Sequence, residues 1–228
     1  MERGLYIAAS GMLAEQVRQN QIANDLANAS TPGYKADRSS QRSFSEVLLH
    51  NTSTGENIGP LGTGVTIART VTDLEGAPLR DTGEPLDYGI EGAGFFELRT
   101  PQGIRFTRNG QFMRSAQGML VDSLGNQVLG QNGRPINVRA DGTAATAPGV
   151  FNVPNARKVG DSYFQGAAAG RATGTVRNGA LEASGTDPAR AMIDMITSER
   201  SYEAGQKAIR TIDETLQKAV TSLPSLSG

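Results

Sequence analysis

Apolar residues recur at helical spacing near both ends of the chain and alternate in short runs between them. From about Gly4 to Ala29, the residues Leu5, Ala9, Met12, Leu13, Val17, Ile22, Ala23 and Leu26 follow a three-to-four residue period, which predicts an amphipathic helix. Pro32 and Gly33 end it, because proline lacks a backbone donor and the residue before it avoids the α region. Near the other end, Asp187-Pro188 offers an N-cap acceptor followed by proline at the first helical position. Met195, Tyr202, Ile209, Leu216 and Leu223 then fall seven apart, with Ile212 and Ala219 between them. That alternation is the pattern of a coiled-coil seam, although the early intervening positions Ala191, Ser198 and Gly205 are small or polar.

Between the two helices the period changes. Val65 to Val71 alternates as a strand does, and short β-type runs follow: Leu86–Ile90, Phe95–Leu98, Gly103–Thr107, Met119–Val121 and Gln127–Leu129. Asn109-Gly110 predicts a hairpin turn. Residues 140 to 176 are rich in Ala, Gly and Thr, and only Phe151–Val153 and Ser162–Phe164 stand out as ordered. Ahead of Val65, the residues Phe44, Val47, Leu48 and Leu49 suggest a helical turn, and residues 51 to 64 read as loop or extension. The predicted fold is α+β, with a discontinuous α-helical coiled-coil domain from both termini and a mainly antiparallel β middle domain. The expected division is 1–35 with 188–228 as the helical domain, 36–74 as connector and loop extension, and 75–187 as the β-rich domain.

Composition narrows the function. The chain has 228 residues, 37% hydrophobic, with no Trp and 5% aromatics, which is lean for one large core. Lys and Arg total 22 against 23 Asp and Glu, so no basic excess points to nucleic acid. The absence of cysteine excludes disulfides, thiolate chemistry and Cys-ligated zinc. The first residues, MERGLYIAASGMLAEQ, lack the unbroken apolar core of a Sec signal, so export is expected by another route. No run approaches the roughly 20 apolar residues of a membrane helix, and membrane insertion is not expected.

Asn20, Asn24 and Asn28 recur every four residues on the first helix. Asparagine costs helix propensity, because its amide competes for the backbone. Two readings stand. The amides are solvated, with Asn28 closing the helix, or they hydrogen-bond neighbouring helices and fix register. The apolar stripes leave a parallel choice: the two helices pack on each other within one chain, or other copies complete them in a polymer with heterologous contacts.

The residues NQIANDLANASTPGYK (20–35) resemble the N-terminal signature of flagellar rod and hook axial proteins, N-x-x-A-N-N-L-A-N-x-x-T-x-G-[FY]-[KR]. Further pieces resemble the same family: Gly62-Thr63-Gly64-Val65, Gly83-Glu84-Pro85-Leu86-Asp87 with Ile90–Phe96, and Phe106-Thr107-Arg108-Asn109-Gly110-Gln111-Phe112. So do Gly118–Val121, Gly125–Gly130, Gly179–Ser184 and Met192–Glu203. The chain departs from the family at Ser184-Gly185-Thr186-Asp187, where S-N-V-N is usual.

The match is best to the flagellar basal-body rod branch. The resemblance implies a structural subunit that self-assembles into the hollow axial driveshaft transmitting torque to the hook. It implies as partners further copies in a helical polymer, other rod and hook proteins, and the flagellar type III export apparatus. The implied location is the periplasm-spanning basal body, with terminal helices in an inner tube and the β domain outward. The residues expected at the assembly interface are Leu5, Met12, Asn20, Asn24, Leu26, Asn28, Met195, Tyr202, Ile209, Ile212 and Leu216.

Competing classes find less support. Alternatives are a β-rich surface binding module with coiled-coil oligomerisation, or a hook or junction-type axial protein. For an enzyme the parts are missing: His50 is the single histidine and lies beside a loop-like stretch, and Gly59, Gly62 and Gly64 form no dinucleotide fingerprint. Asp122, Asp141 and Asp161 read as turn acids, and nothing places Glu182 and Glu203 together as a carboxylate pair. Glu199 and Arg200 read as helix-surface charges. No catalytic residue, metal or cofactor is expected.

Overall fold

The computed structural model describes residues 2–43, 46–50, 57–62, 64–160 and 162–222. It contains two helices and a mainly antiparallel β middle. Helix α1 spans Glu2–Ala27 and helix α2 Pro188–Ser222. Strands β1 to β4 are Asp37–Ser43, Glu46–His50, Asn57–Gly62 and Val65–Thr72. Next come β5 (Leu79–Asp81), β6 (Tyr88–Glu91), β7 (Phe95–Thr100), β8 (Gly103–Thr107), β9 (Met113–Arg114), β10 (Leu120–Val121) and β11 (Gln127–Val128). The last five are β12 (Val150–Phe151), β13 (Arg157–Lys158), β14 (Tyr163–Gln165), β15 (Thr175–Asn178) and β16 (Ala180–Glu182). Contacts divide the chain into two compact units.

The first unit takes in the described residues of Met1–Asn24, Asp37–Val71 and Ala189–Gly228. Here α1 and α2 lie antiparallel: Gly4 faces Ile212, Met12 faces Gly205, and Glu15 faces Ser198. The small positions of the α2 seam set this approach. A Cβ on Gly205 would stand 2.7 Å from Met12 Cγ, with the Ala8 carbonyl oxygen 3.9 Å away. Ser198 is buried, and its hydroxyl donates to Glu15 Oε2 at 2.6 Å. Met195, Tyr202, Ile209, Ile212 and Leu216 are half-buried, as are Leu5 and Met12 on α1.

Five hydroxyls along α2 turn back onto the helix's own carbonyls, the last being Thr221, which donates to Gln217 O at 3.0 Å. Thr197 donates to Ile193 O at 2.8 Å, Ser201 to Thr197 O at 3.0 Å, Thr211 to Lys207 O at 3.0 Å and Thr215 to Thr211 O at 2.7 Å.

A ribbon of β1 and β4 joins this unit. The Val65 amide donates to Ser10 Oγ at 3.2 Å, and Gln21 Nε2 donates to Asp37 O. Gly64 has φ of 143°, and a Cβ there would reach within 2.7 Å of Ser10 Oγ, so the glycine of Gly62-Thr63-Gly64-Val65 permits the contact. Strands β2 and β3 pair antiparallel, with Leu48 opposite Pro60 and a bulge at Leu49/His50. The helical turn expected at Val47–Leu49 is therefore a strand. Cross-strand pairing overrides a local apolar cluster too short to nucleate a helix. Phe44, residues 51–56 and Leu223 lie outside the described residues.

The second unit is Asp25–Ala36 with Thr72–Pro188. Its main sheet has the order β13-β14-β8-β7-β11-β10-β9, with β12 also paired to β7. Adjacent side chains of a strand point to opposite faces, so Phe95 and Phe96 of β7 feed two cores. Phe96 and Leu98 pack with Tyr88, Ile90, Phe112 and Leu120, whereas Phe95 packs with Phe106, Val153 and Phe164.

The predicted Asn109-Gly110 hairpin does not form. The β7–β8 hairpin turns at Pro101-Gln102, and β9 pairs with β10 instead. Gly110 is needed for close approach: its carbonyl accepts the Tyr88 amide at 3.0 Å, and a Cβ would lie 1.6 Å from Tyr88 O. The weakly patterned stretch after residue 140 carries β12 to β15, and β15 pairs with β6.

Asp122 and Asp141 are the turn acids expected. Asp122 Oδ1 accepts the amides of Leu124 and Asn126, and its Oδ2 takes the Tyr163 hydroxyl at 2.6 Å. Burial, then the Asp122 carboxylate, push the Tyr163 phenol well above its ordinary pKa. Thr143 donates its hydroxyl and amide to Asp141 and holds that carboxyl below its ordinary value. Asp161 lies outside the described residues.

The contact at Gly205 is tight enough to test. Gly205→Leu should force the helices apart at a cost of about 1–3 kcal/mol. Hydrogen exchange over Ala8–Glu15 should speed up in the variant, and unchanged protection there would contradict the packing.

Candidate functional site: a buried charge latch

The stretch after α1 and the strand before α2 meet inside the β-rich unit. Asn28, which follows the last residue of α1, accepts the Thr31 hydroxyl on its amide oxygen at 3.2 Å. Its backbone carbonyl takes the Ser184 hydroxyl at 3.0 Å. The chain then turns through Thr31-Pro32-Gly33. Gly33 has φ of 65°, and a Cβ there would sit 2.3 Å from the Arg108 backbone. No other residue fits this crossing without displacing that backbone. The Gly33 amide donates to Glu182 O at 2.9 Å, and the Gly185 amide donates to Tyr34 O at 2.8 Å.

This backbone places two large side chains in the interior. Tyr34 is fully buried, and its hydroxyl donates to Asp25 Oδ1 at 2.7 Å. Lys158 Nζ lies 4.0 Å from the centre of the Tyr34 ring and donates to Lys35 O at 2.7 Å. Lys35 itself reaches Glu182 Oε1 at 2.6 Å and Glu75 O at 2.5 Å.

Glu182 is the centre of the arrangement, and its side chain has no exposed surface. Oε1 also accepts the Ala77 amide at 2.8 Å, and Oε2 accepts Arg108 Nη1 at 3.2 Å. Two buried cations thus share one carboxylate. Other groups absorb the excess positive charge. Lys35 donates to the Glu75 carbonyl, while Arg108 Nη2 donates to Gly92 O at 2.8 Å. The Arg108 guanidinium also stacks 5.4 Å from the Phe95 ring centre. Only Arg108 Nε and Thr186 Oγ1 are buried without a partner among the described residues. Such a cluster locks geometry. It has no open position for a reacting group.

Three protein-family models match the chain. "Flagella basal body rod protein" covers residues 5–35, "Flagellar hook protein FlgE/F/G D1 domain" covers 89–153, and "Flagellar basal body rod FlgEFG protein C-terminal" covers 177–222. The flagellar basal-body rod protein FlgG of Borreliella burgdorferi is 30% identical to the chain, covering 95% of it and 97% of the relative. The chain belongs to the flagellar basal-body rod protein family. FlgG of Agrobacterium fabrum is likewise 30% identical over 93% of this chain and 96% of its own. The flagellar hook-basal body complex protein FlhO of Bacillus subtilis is 28% identical over 98% and 99%. The protein is a structural subunit of the bacterial flagellar basal-body rod.

Each matched stretch of this rod protein supplies one member of the latch: Lys35, Arg108 and Glu182. The expected assembly residues fall elsewhere. Asn20 and Asn24 are exposed, Leu26 and Asn28 are half-buried, and Met12 and Ile212 face the other helix of the same chain. The latch escaped the sequence reading, which set Glu182 aside for want of a second carboxylate. Its natural partners are cations 147 and 74 positions away. The available signal was an acid within the small and apolar run Ala180-Leu181-Glu182-Ala183.

Removing the shared carboxylate should unbalance the cluster. Glu182→Gln should destabilise the protein by about 3–5 kcal/mol, the range for a buried ion pair broken on one side, because it leaves the buried Lys35 and Arg108 without a counter-charge. Urea unfolding followed by circular dichroism measures this, and a loss below 1 kcal/mol would show that the latch contributes little.

Proposed function

We propose that this rod subunit self-assembles through its two terminal helices into the hollow axial driveshaft that carries torque to the hook. One observation carries the reading. Antiparallel packing of α1 and α2 leaves large apolar side chains uncovered on both. Tyr6 and Leu13 are 62% and 63% exposed on α1, and Ile193 is 64% exposed on α2. Val17, Met192, Ile196 and Val220 add to these surfaces. Exposed residues of this size on both members of a helix pair favour further helices as neighbours.

In this reading the seam residues Leu5, Met12, Met195, Tyr202, Ile209, Ile212 and Leu216 hold the helices together as a coiled coil. The uncovered residues then meet adjacent subunits. The helical assembly domain comprises 1–35 with 188–228, followed by the connector 36–74 and the β-rich domain 75–187. Asn20, Asn24 and Asn28 fix register at the contacts. The work is structural rather than catalytic. The chain functions in the basal body across the periplasm, beside other rod and hook proteins, after export through the flagellar type III apparatus. One fact supports that route: the sequence has no cysteine to cross-link in transit.

The assay is swimming in soft agar with electron microscopy of isolated basal bodies. Leu13→Asp and Ile193→Asp should each abolish rod completion, and Asn24→Leu should impair it. Motile cells with intact rods from the two aspartate variants would refute the assembly surface.

A further inference from the structure

Away from the latch, the β-rich unit has a cleft of about 420 Å³ lined by Glu84, Leu86, Asp87, Phe112, Met113 and Arg114, among others. Asp87 is only 6% exposed. Its backbone is fully used: the amide donates to Glu84 O at 3.2 Å, and the carbonyl accepts the Gly179 amide at 2.9 Å. Its carboxylate differs. Among the described residues no donor and no cation reaches either oxygen, and neither oxygen is sealed from the cleft. Arg114 stands on the same cleft without pairing to Asp87 or Glu84.

Buried carboxylates are normally compensated, because an uncompensated one carries a desolvation cost. Asp87 ends the stretch Gly83-Glu84-Pro85-Leu86-Asp87, so the acid is fixed at the cleft by the β5–β6 connection. We propose that this cleft receives an arginine side chain from a second copy of the chain. The walls suit that group better than a metal ion: no cluster of three acids exists among the described residues, and Leu86, Phe112 and Met113 offer apolar cover for a long stem.

The chain itself carries suitable knobs. Arg134 is exposed at the tight turn Gly130–Arg134, and its guanidinium has no partner among the described residues. A socket in one place and a knob in another make a heterologous contact, which propagates as an open helical polymer instead of closing as a dimer. The inference rests on the rod-assembly reading and specifies a contact of the β-rich unit within it.

The experiment places a photo-crosslinking benzoylphenylalanine at Met113 on the cleft rim, in cells that build flagella, and maps the products by mass spectrometry. The expected result is a crosslink to an arginine-containing peptide of a second copy. Asp87→Asn should reduce its yield at least tenfold while the purified protein keeps its Tm. If Asp87→Asn lowers the Tm, Glu84→Gln on the exposed rim serves for the same comparison. Crosslinks solely to other proteins, or a yield indifferent to both substitutions, overturn the socket. Basal bodies that contain the chain but give no crosslink overturn this inference alone. Basal bodies that lack the chain overturn the rod-assembly reading with it.

Discussion

A single carboxylate, that of Glu182, organises the β-rich unit. It lies in a short strand just before α2 and bonds to a lysine just after α1 and to an arginine beyond β8. Charged groups in an interior require hydrogen-bond partners, and among the described side-chain atoms of this cluster only Arg108 Nε is without one. Here that requirement recruits the Ala77 amide, the carbonyls of Glu75 and Gly92, and the face of Phe95. A carboxylate bound from so many directions has one acceptable geometry. Two sequence-distant segments are thereby held in a fixed relation inside the body that contains them both.

The helical unit uses the opposite strategy. Its two long helices face each other at Gly205 and Ser198 of α2, opposite Met12 and Glu15 of α1. The larger side chains at seven-residue intervals are only half-buried. Larger apolar side chains on both helices, Tyr6, Leu13 and Ile193 among them, stay exposed in the single chain. The two units therefore differ in kind: one is fixed by buried polar bonds, and the other keeps large apolar side chains at its surface.

Much of the fold was legible in the sequence. The 3.6-residue period located both helices, and proline with an aspartate cap marked the start of α2 to the residue. Strand alternation located β4, β6, β7 and β8. Failures occurred where distant pairing decides local form. Val47–Leu49 became a strand because Asn57–Gly62 lies beside it, and Gly110 met Tyr88 instead of turning a hairpin. The latch was legible only in fragments. Lys35, Arg108 and Glu182 each sat within a recognised motif, yet no local rule connects residues so far apart. The small α2 positions were visible and read as weak points of a seam. Two of them, Ser198 and Gly205, face Glu15 and Met12 of the other helix.

The hydroxyls that fold back along α2 have a further consequence. A threonine or serine entering a dry environment normally needs a new acceptor, or it strands a donor at a cost of about 1–3 kcal/mol. On α2 the acceptors are already supplied one turn earlier in the same helix. These side chains therefore keep their donors satisfied inside the helix. Water can leave them without stranding a hydroxyl proton, so covering such a threonine or serine costs less than covering one whose donor depends on solvent.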